Sequence, residues 1–404
     1  MASELIAHQV AVTGIGILSG SHADLDGFWR ALVEPQGPTA TRIEGFDPTK
    51  ELDRRLRRHT DAFAQLATVA ARLARADSAI TDFDPMRAAV VVAAGNGTAT
   101  TPIVEHAHYV EQGPVGVSPL TGVRSMPNAA ASAISLDQGA RGHSTSIGSG
   151  CASGTHAVGE AFRLIRFGLA DVVFAGGAES FYAVGADEAT AEAAASLRAG
   201  LANLKVLSER ATARPFDVDR DGFIPADGAA VLVLESFEHA RARGARVYAE
   251  VCGYGNTNDA HDLLAPEPSG DGIRRAMALA LAEAGATPAE VRFVNTHGTG
   301  THSNDLAEAR AIRELFGHPG PMVNSIKGVT GHSGAAAGAI EAAAVALAID
   351  RGLVPPTAGL QQVDPALDVD VIHGAPRPWQ PGLALSTSLG LGGHNGALAL
   401  RPAR

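Results

Sequence analysis

Cysteine is nearly absent from this chain, with two in 404 residues. A disulfide framework is excluded, and the composition fits a reducing compartment. Aromatic residues make up 5% and charged residues 19%, a balance that suits small-residue helices packed tightly on sheets. A basic excess is missing too: the formal net charge is −11 and the pI about 5.7. Whole-protein attraction to nucleic acid or to an anionic membrane is therefore not expected. No apolar run is long enough for a membrane span. The blandest stretch, GAAAGAIEAAAVALAID at 334–350, is alanine-dominated and carries Glu341, and it reads as a buried helix. The first residues, MASELIAHQVAVTG, show no basic segment followed by an apolar core, so no secretory leader and a cytoplasmic chain are expected.

Glycine, by contrast, is abundant, with 46 residues. Residues 147–167 surround Cys151 with small neighbours: Gly148 and Gly150 before it, Ala152, Ser153 and Gly154 after. HSTSI upstream reads as a short strand, and Val158, Ala161, Phe162 and Ile165 recur at helical spacing downstream. Cys151 is thus expected on a tight strand-to-helix turn, where free N–H groups and the helix dipole favour a thiolate. Cys252, inside an apolar strand, reads as core.

Apolar strands alternate with helical patterns along the whole chain. HQVAVTGIGILSG (8–20) reads as a strand ending in a glycine turn, and its GIG is a poor dinucleotide fingerprint. Residues 51–78 read as one long helical region whose start carries Arg54, Arg55, Arg57 and Arg58. Residues 98–146, broken by Pro102, Pro114, Pro119 and Pro127, read as an irregular stretch building a pocket or a subunit contact. From about residue 246 the plan repeats. YAEVCGYGNTND (248–259) echoes the first strand, EVRFVNTHGTGTHSND (290–305) echoes MRAAVVVAAGNG (86–97), and 322–349 echoes the Cys151 strand, elbow and helix. Two duplicated α/β halves are expected, 1–245 carrying the cysteine and 246–404 the features below.

Those features fall at equivalent turns. His297 follows an apolar strand and precedes GTGT, His332 opens the alanine-rich helix, and Lys327 stands in the same segment. SLGLGGHNG (388–396) is a glycine turn able to bring backbone N–H groups close to a substrate. The histidines at 143, 156, 302, 318 and 394 read as structural.

GCASG, NTHGTGT, NSIKGVTGHSGAAAG, SLGLGGHNGA, RPFDVDRDGF and the opening VAVTGIG together resemble the β-ketoacyl-acyl-carrier-protein synthases, the ketosynthases among thiolase-fold condensing enzymes. The resemblance implies a layered α/β/α/β/α fold built from two βαβαβαββ halves. It implies decarboxylative Claisen condensation of an acyl chain on Cys151 with a malonyl unit, both delivered by acyl carrier protein. The Cys151 and Leu391 N–H groups would form the oxyanion hole, with Leu389, Gly390 and Gly392 shaping the gate beside it. His297 and His332 would stabilise the enolate, Lys327 would orient its neighbours, and Glu308 would partner Lys327. Thr299 and Thr301 would hold the pantetheine arm. No cofactor is required, although a structural sodium or potassium ion at Asn295, Glu341, Ser386 and Thr387 is carried over from relatives.

The family also implies a dimer, either of identical chains or with a chain-length-factor-like subunit. The Arg54–Arg58 patch is expected to dock the carrier. Relatives usually have phenylalanine where this chain has Leu389 and Leu391, and the segment VLSERATARPFD is shorter than its counterpart. Both departures favour a specialised type II polyketide or polyene system over housekeeping fatty-acid synthesis. The rival readings are a catalytically weak partner subunit and a thiolase-fold acyltransferase.

Overall fold

Along the apolar strands, successive residues face opposite sides and are buried on both, the pattern of a sheet covered on each face. In the computed structural model, which describes residues 7–20 and 24–403, these runs form ten principal strands. The first half contributes β1 (Val10–Leu18), β2 (Ala88–Ala94), β3 (Ser144–Ile147), β4 (Val172–Glu179) and β5 (Gly228–Ser236). The second contributes β6 (Ala249–Asn258), β7 (Val291–Asn295), β8 (Met322–Asn324), β9 (Leu383–Gly390) and β10 (His394–Arg401). The expectation of no leader rests partly on residues 1–6, which lie outside the described residues.

The duplication is visible in the pairing. The first half is ordered β3-β2-β4-β5-β1 and the second β8-β7-β9-β10-β6, with Asp370–Val371 added beyond β8. In each half the first three strands run parallel and the last two pair antiparallel. A short antiparallel ladder, Val10–Val12 on Ala249–Val251, joins the halves.

Four helices complete the layers: α1 (Ala62–Ser78), α2 (Ser153–Arg166), α3 (Asp271–Glu283) and α4 (Ala337–Arg351). Helices α2 and α4 pack on each other and on strands of both halves, whereas α1 covers the first sheet half and α3 the second. The core divides accordingly. On β5, Ala230, Leu232 and Leu234 face the central helices while Ala229, Val231 and Val233 face α1. The result is the expected α/β/α/β/α layering.

Three local expectations are corrected. The GIG segment is not a turn: β1 runs straight through it. A Cβ on Gly14 or Gly16 would stand 2.3 or 1.9 Å from the carbonyl oxygens of Ala74 or Ala70 on α1. Gly253 and Gly255 of β6 meet Ala280 and Ala276 of α3 in the same way, at 2.1 and 1.9 Å. These glycines let a helix lie close on the strand. Residues 98–146 are largely helical, with helices Thr100–Gln112, Thr121–Ser125 and Ala129–Gln138. Their prolines sit in a first helical turn or between helices, where a missing N–H costs little. Finally, the 51–78 region is two helices, Arg54–His59 and α1, separated where Asp61 caps α1 by accepting the Ala62 N–H. Cys252 is core, as read.

Candidate active site

The parallel strands β2, β4, β7 and β9 and the turn after β3 deliver their ends to one cavity of about 370 Å³. Cys151 reaches it just before α2, from a backbone turned by Gly150 at φ +57°. The glycine turn after β9 lies against this elbow: a Cβ on Gly390 would be 2.5 Å from Ser149 O and 3.1 Å from the Cys151 nitrogen. Only glycine permits that approach. The Leu391 N–H is thereby brought into hydrogen-bonding range of Cys151. Leu389 and Leu391 line the cavity; Leu389 is buried and Leu391 is 46% exposed at the mouth.

His297 and His332 converge on the sulfur. The Cys151 Sγ and one nitrogen of each ring lie within 4.8 Å of one another. The imidazole centroids are 5.0 Å apart, and Phe223 packs edge-on against His332 at 4.9 Å. Lys327, 1% exposed, donates to the His297 carbonyl oxygen at 2.5 Å and approaches its Nδ1 at 3.2 Å. An ammonium has no acceptor capacity, so Nδ1 must be the unprotonated nitrogen and Nε2 carries the hydrogen. Lys327 also pairs with Glu341 on α4.

Glu308 therefore does not partner Lys327, contrary to expectation. It accepts N–H bonds from His297 at 2.8 Å and Gly298 at 2.7 Å, an Asn304 amide N–H and the Thr387 hydroxyl. From the second turn of the helix His302–Phe316 it reaches back to the His297 loop. Thr299 and Thr301 line the cavity with their hydroxyls 3.0 Å apart.

Burial sets the protonation states. It pushes the Cys151 thiol up to about 11, with Glu179 adding to the rise while Lys327 and the Leu391 N–H oppose it. Desolvation thus opposes the expected thiolate and is the largest influence on this thiol. Burial and then Lys327 hold both imidazoles well below their ordinary pKa, so both are neutral at pH 7. Burial raises Glu308 and Glu341 to about 7, with Lys327 opposing the rise at Glu341.

The four groups expected around a structural cation split into two pairs. Asn295 Oδ1 and Ser386 Oγ are buried without a partner, which suits a hard monovalent ion. Glu341 is engaged by Lys327, and Thr387 donates to Glu308.

Sequence reasoning missed three residues of this site. Phe223 follows the RDG turn onto His332. Asp259 accepts from Asn395 at 2.7 Å and donates its N–H to Gly393 O at 2.8 Å, bracing the glycine turn. Glu179 lines the cavity at the end of β4. An acidic residue closing an otherwise apolar strand was the available signal.

Known proteins share this design. Residues 35–240 match the N-terminal domain of β-ketoacyl synthase, and residues 248–361 its C-terminal domain. The chain is 37% identical over 413 residues to a 3-oxoacyl-[acyl-carrier-protein] synthase 2 of Staphylococcus aureus (strain N315), covering 97% of this chain and 98% of that one. Among solved structures, the ishigamide ketosynthase/chain length factor matches with a TM-score of 0.89 at 29% identity, over 98% of this chain and 100% of that chain. A type II PKS acyl-carrier protein in complex with its ketosynthase, bound to the hexaketide, matches with a TM-score of 0.87 at 27% identity and the same coverage.

Proposed function

Because the chain belongs to the β-ketoacyl synthase family and is a condensing acyltransferase, we propose that it elongates acyl chains held on Cys151, using malonyl units on acyl carrier protein, in a type II polyketide or polyene system. The single observation that carries this reading is the meeting of one sulfur and two neutral imidazoles within 4.8 Å.

The chemistry follows from the protonation states. Cys151 starts as a thiol, so its attack on the incoming thioester transfers the thiol proton to a neighbouring neutral imidazole. The tetrahedral oxyanion is met by the Cys151 and Leu391 N–H groups. Collapse expels the carrier's pantetheine thiolate, which takes that proton. A malonyl carrier then enters along Thr299 and Thr301. Loss of CO₂ leaves the electron pair as an enolate, whose oxygen accepts from His297 Nε2–H and from His332. The enolate carbon attacks the acyl carbonyl, the C–C bond forms, and the Cys151 thiolate departs to be reprotonated. Lys327 holds His297 in the donating tautomer and keeps positive charge beside the site.

The nucleophile comes from residues 1–245 and the imidazoles from 246–404, a division supported by the repeated strand order. A structural alkali ion would be held by Asn295 and Ser386 and would supply fixed charge to the β7–β9 junction, taking no part in the reaction. A cytoplasmic setting is supported by the free Cys151 and Cys252; among the described residues no helix is long and apolar enough to cross a membrane. Arg54, Arg55 and Arg58 are exposed and would receive the acidic carrier. The assembly would be a dimer, and the similarity to a ketosynthase/chain length factor favours a heterodimer in which this chain, having Cys151, is the catalytic member.

Iodoacetamide should give one adduct, at Cys151, and radiolabelled malonyl carrier should lose CO₂ in the presence of the protein. Absence of both reactions in folded protein would refute the reading.

A further inference from the structure

Glu179 takes no part in the steps above, yet its side chain is fully buried at the end of β4. Among the described residues no cation pairs with it. Instead, one carboxylate oxygen accepts the N–H groups of Gly97 at 2.7 Å and Ser180 at 3.2 Å. The other accepts from Asn96 at 3.1 Å and, more loosely, from Ala335 at 3.4 Å. Both oxygens act as acceptors, which a carboxylate does and an amide cannot; burial raises the Glu179 pKa, and these N–H bonds oppose the rise. The donors belong to three separate segments, and residues of all three line the cavity that holds Cys151. The fit is close: a Cβ on Gly95 or Gly334 would stand 2.3 or 2.6 Å from a Glu179 oxygen. An isolated buried anion is costly unless its hydrogen bonds are met.

We propose that Glu179 is a positioning residue for the condensing reaction: its carboxylate clamps the Asn96–Gly97 and Gly334–Ala335 turns into one wall of the cavity that holds Cys151. This rests on the condensing reading. Its charge also bears on the thiol: Glu179 raises the Cys151 pKa while Lys327 lowers it. The clamp fixes one wall of the cavity that holds Cys151, so losing it should slow turnover and leave carrier binding, on the outer surface, intact.

The test uses the full chain and two variants, with iodoacetamide alkylation of Cys151 followed against pH and with kcat and KM measured for the carrier substrates. Glu179→Gln removes the charge, so the alkylation inflection should move down by about one pH unit. Its kcat should fall about tenfold or more, with KM for the carrier unchanged. Glu179→Asp keeps the charge but shortens the clamp; the inflection should stay in place while kcat falls similarly. Wild-type kcat in either folded variant, or a raised carrier KM with unchanged kcat, overturns the proposal. If Glu179→Gln does not fold, the turnover of Glu179→Asp decides. Alkylation needs no carrier, so a wild-type protein that fails to condense would refute the functional reading separately.

Discussion

Lys327 Nζ donates to the backbone carbonyl of His297 and sits 3.2 Å from its ring Nδ1. A single ammonium thus fixes both the loop and the tautomer of the residue that must present a hydrogen to an enolate. Lys327→Ala should lower malonyl-carrier decarboxylation by about 10²–10³-fold, the typical worth of a preorganised oxyanion donor. It should also move the Cys151 alkylation inflection to higher pH, because the cation that stabilises the thiolate is gone. Decarboxylation and alkylation assays on the same preparation check both halves.

The pH response of the free thiol should differ from that of the reaction. With a pKa of about 11, alkylation should climb about tenfold per pH unit from 7 to 10. Condensation should stay flat over 7–9, since the proton moves to an imidazole within the site. On the acid side the histidines' depressed pKa values keep them neutral below the ordinary histidine range. The histidines therefore set no acid limit down to pH 6.5, and a loss of activity as pH falls through about 7 would instead report protonation of Glu308 and Glu341, which hold the His297 loop and Lys327. A stopped-time assay across pH 5–10 would read this.

Leu391 occupies the mouth of the cavity with nearly half its surface exposed. Leu391→Phe should narrow that mouth and slow elongation of long or rigid acyl chains about tenfold while sparing short ones. Competition between acyl carriers of different length, scored by mass spectrometry, measures the change. Unaltered selectivity would remove Leu391 as a determinant.

Reversing the charge of Arg54, Arg55 and Arg58 together should raise KM for the carrier about tenfold at low salt, less at high salt. The alkylation rate at Cys151 should not move. Steady-state kinetics at two ionic strengths would check both.

Much of this was legible in the chain. Strand–turn–helix punctuation around Cys151, His297 and His332 gave the repeated α/β halves, while the α/β/α/β/α order of layers came from the resemblance to the ketosynthases. What escaped was set by tertiary contact. The flanking glycines of β1 serve a close helix, and no local pattern distinguishes that from a turn. The carboxylate at Lys327 is Glu341, from α4, rather than Glu308, because three-dimensional distance has no sequence counterpart across a helix. The thiol's raised pKa likewise arises from burial, which segments remote in sequence supply.

The central pair of helices belongs to both repeats at once. Separating α2 from α4 would strip the inner face of each half and, in the same motion, part the sulfur from the imidazoles. Melting and inactivation should therefore coincide in one cooperative event, and a fragment ending near residue 245 would be left with a bare apolar face and half a reaction centre.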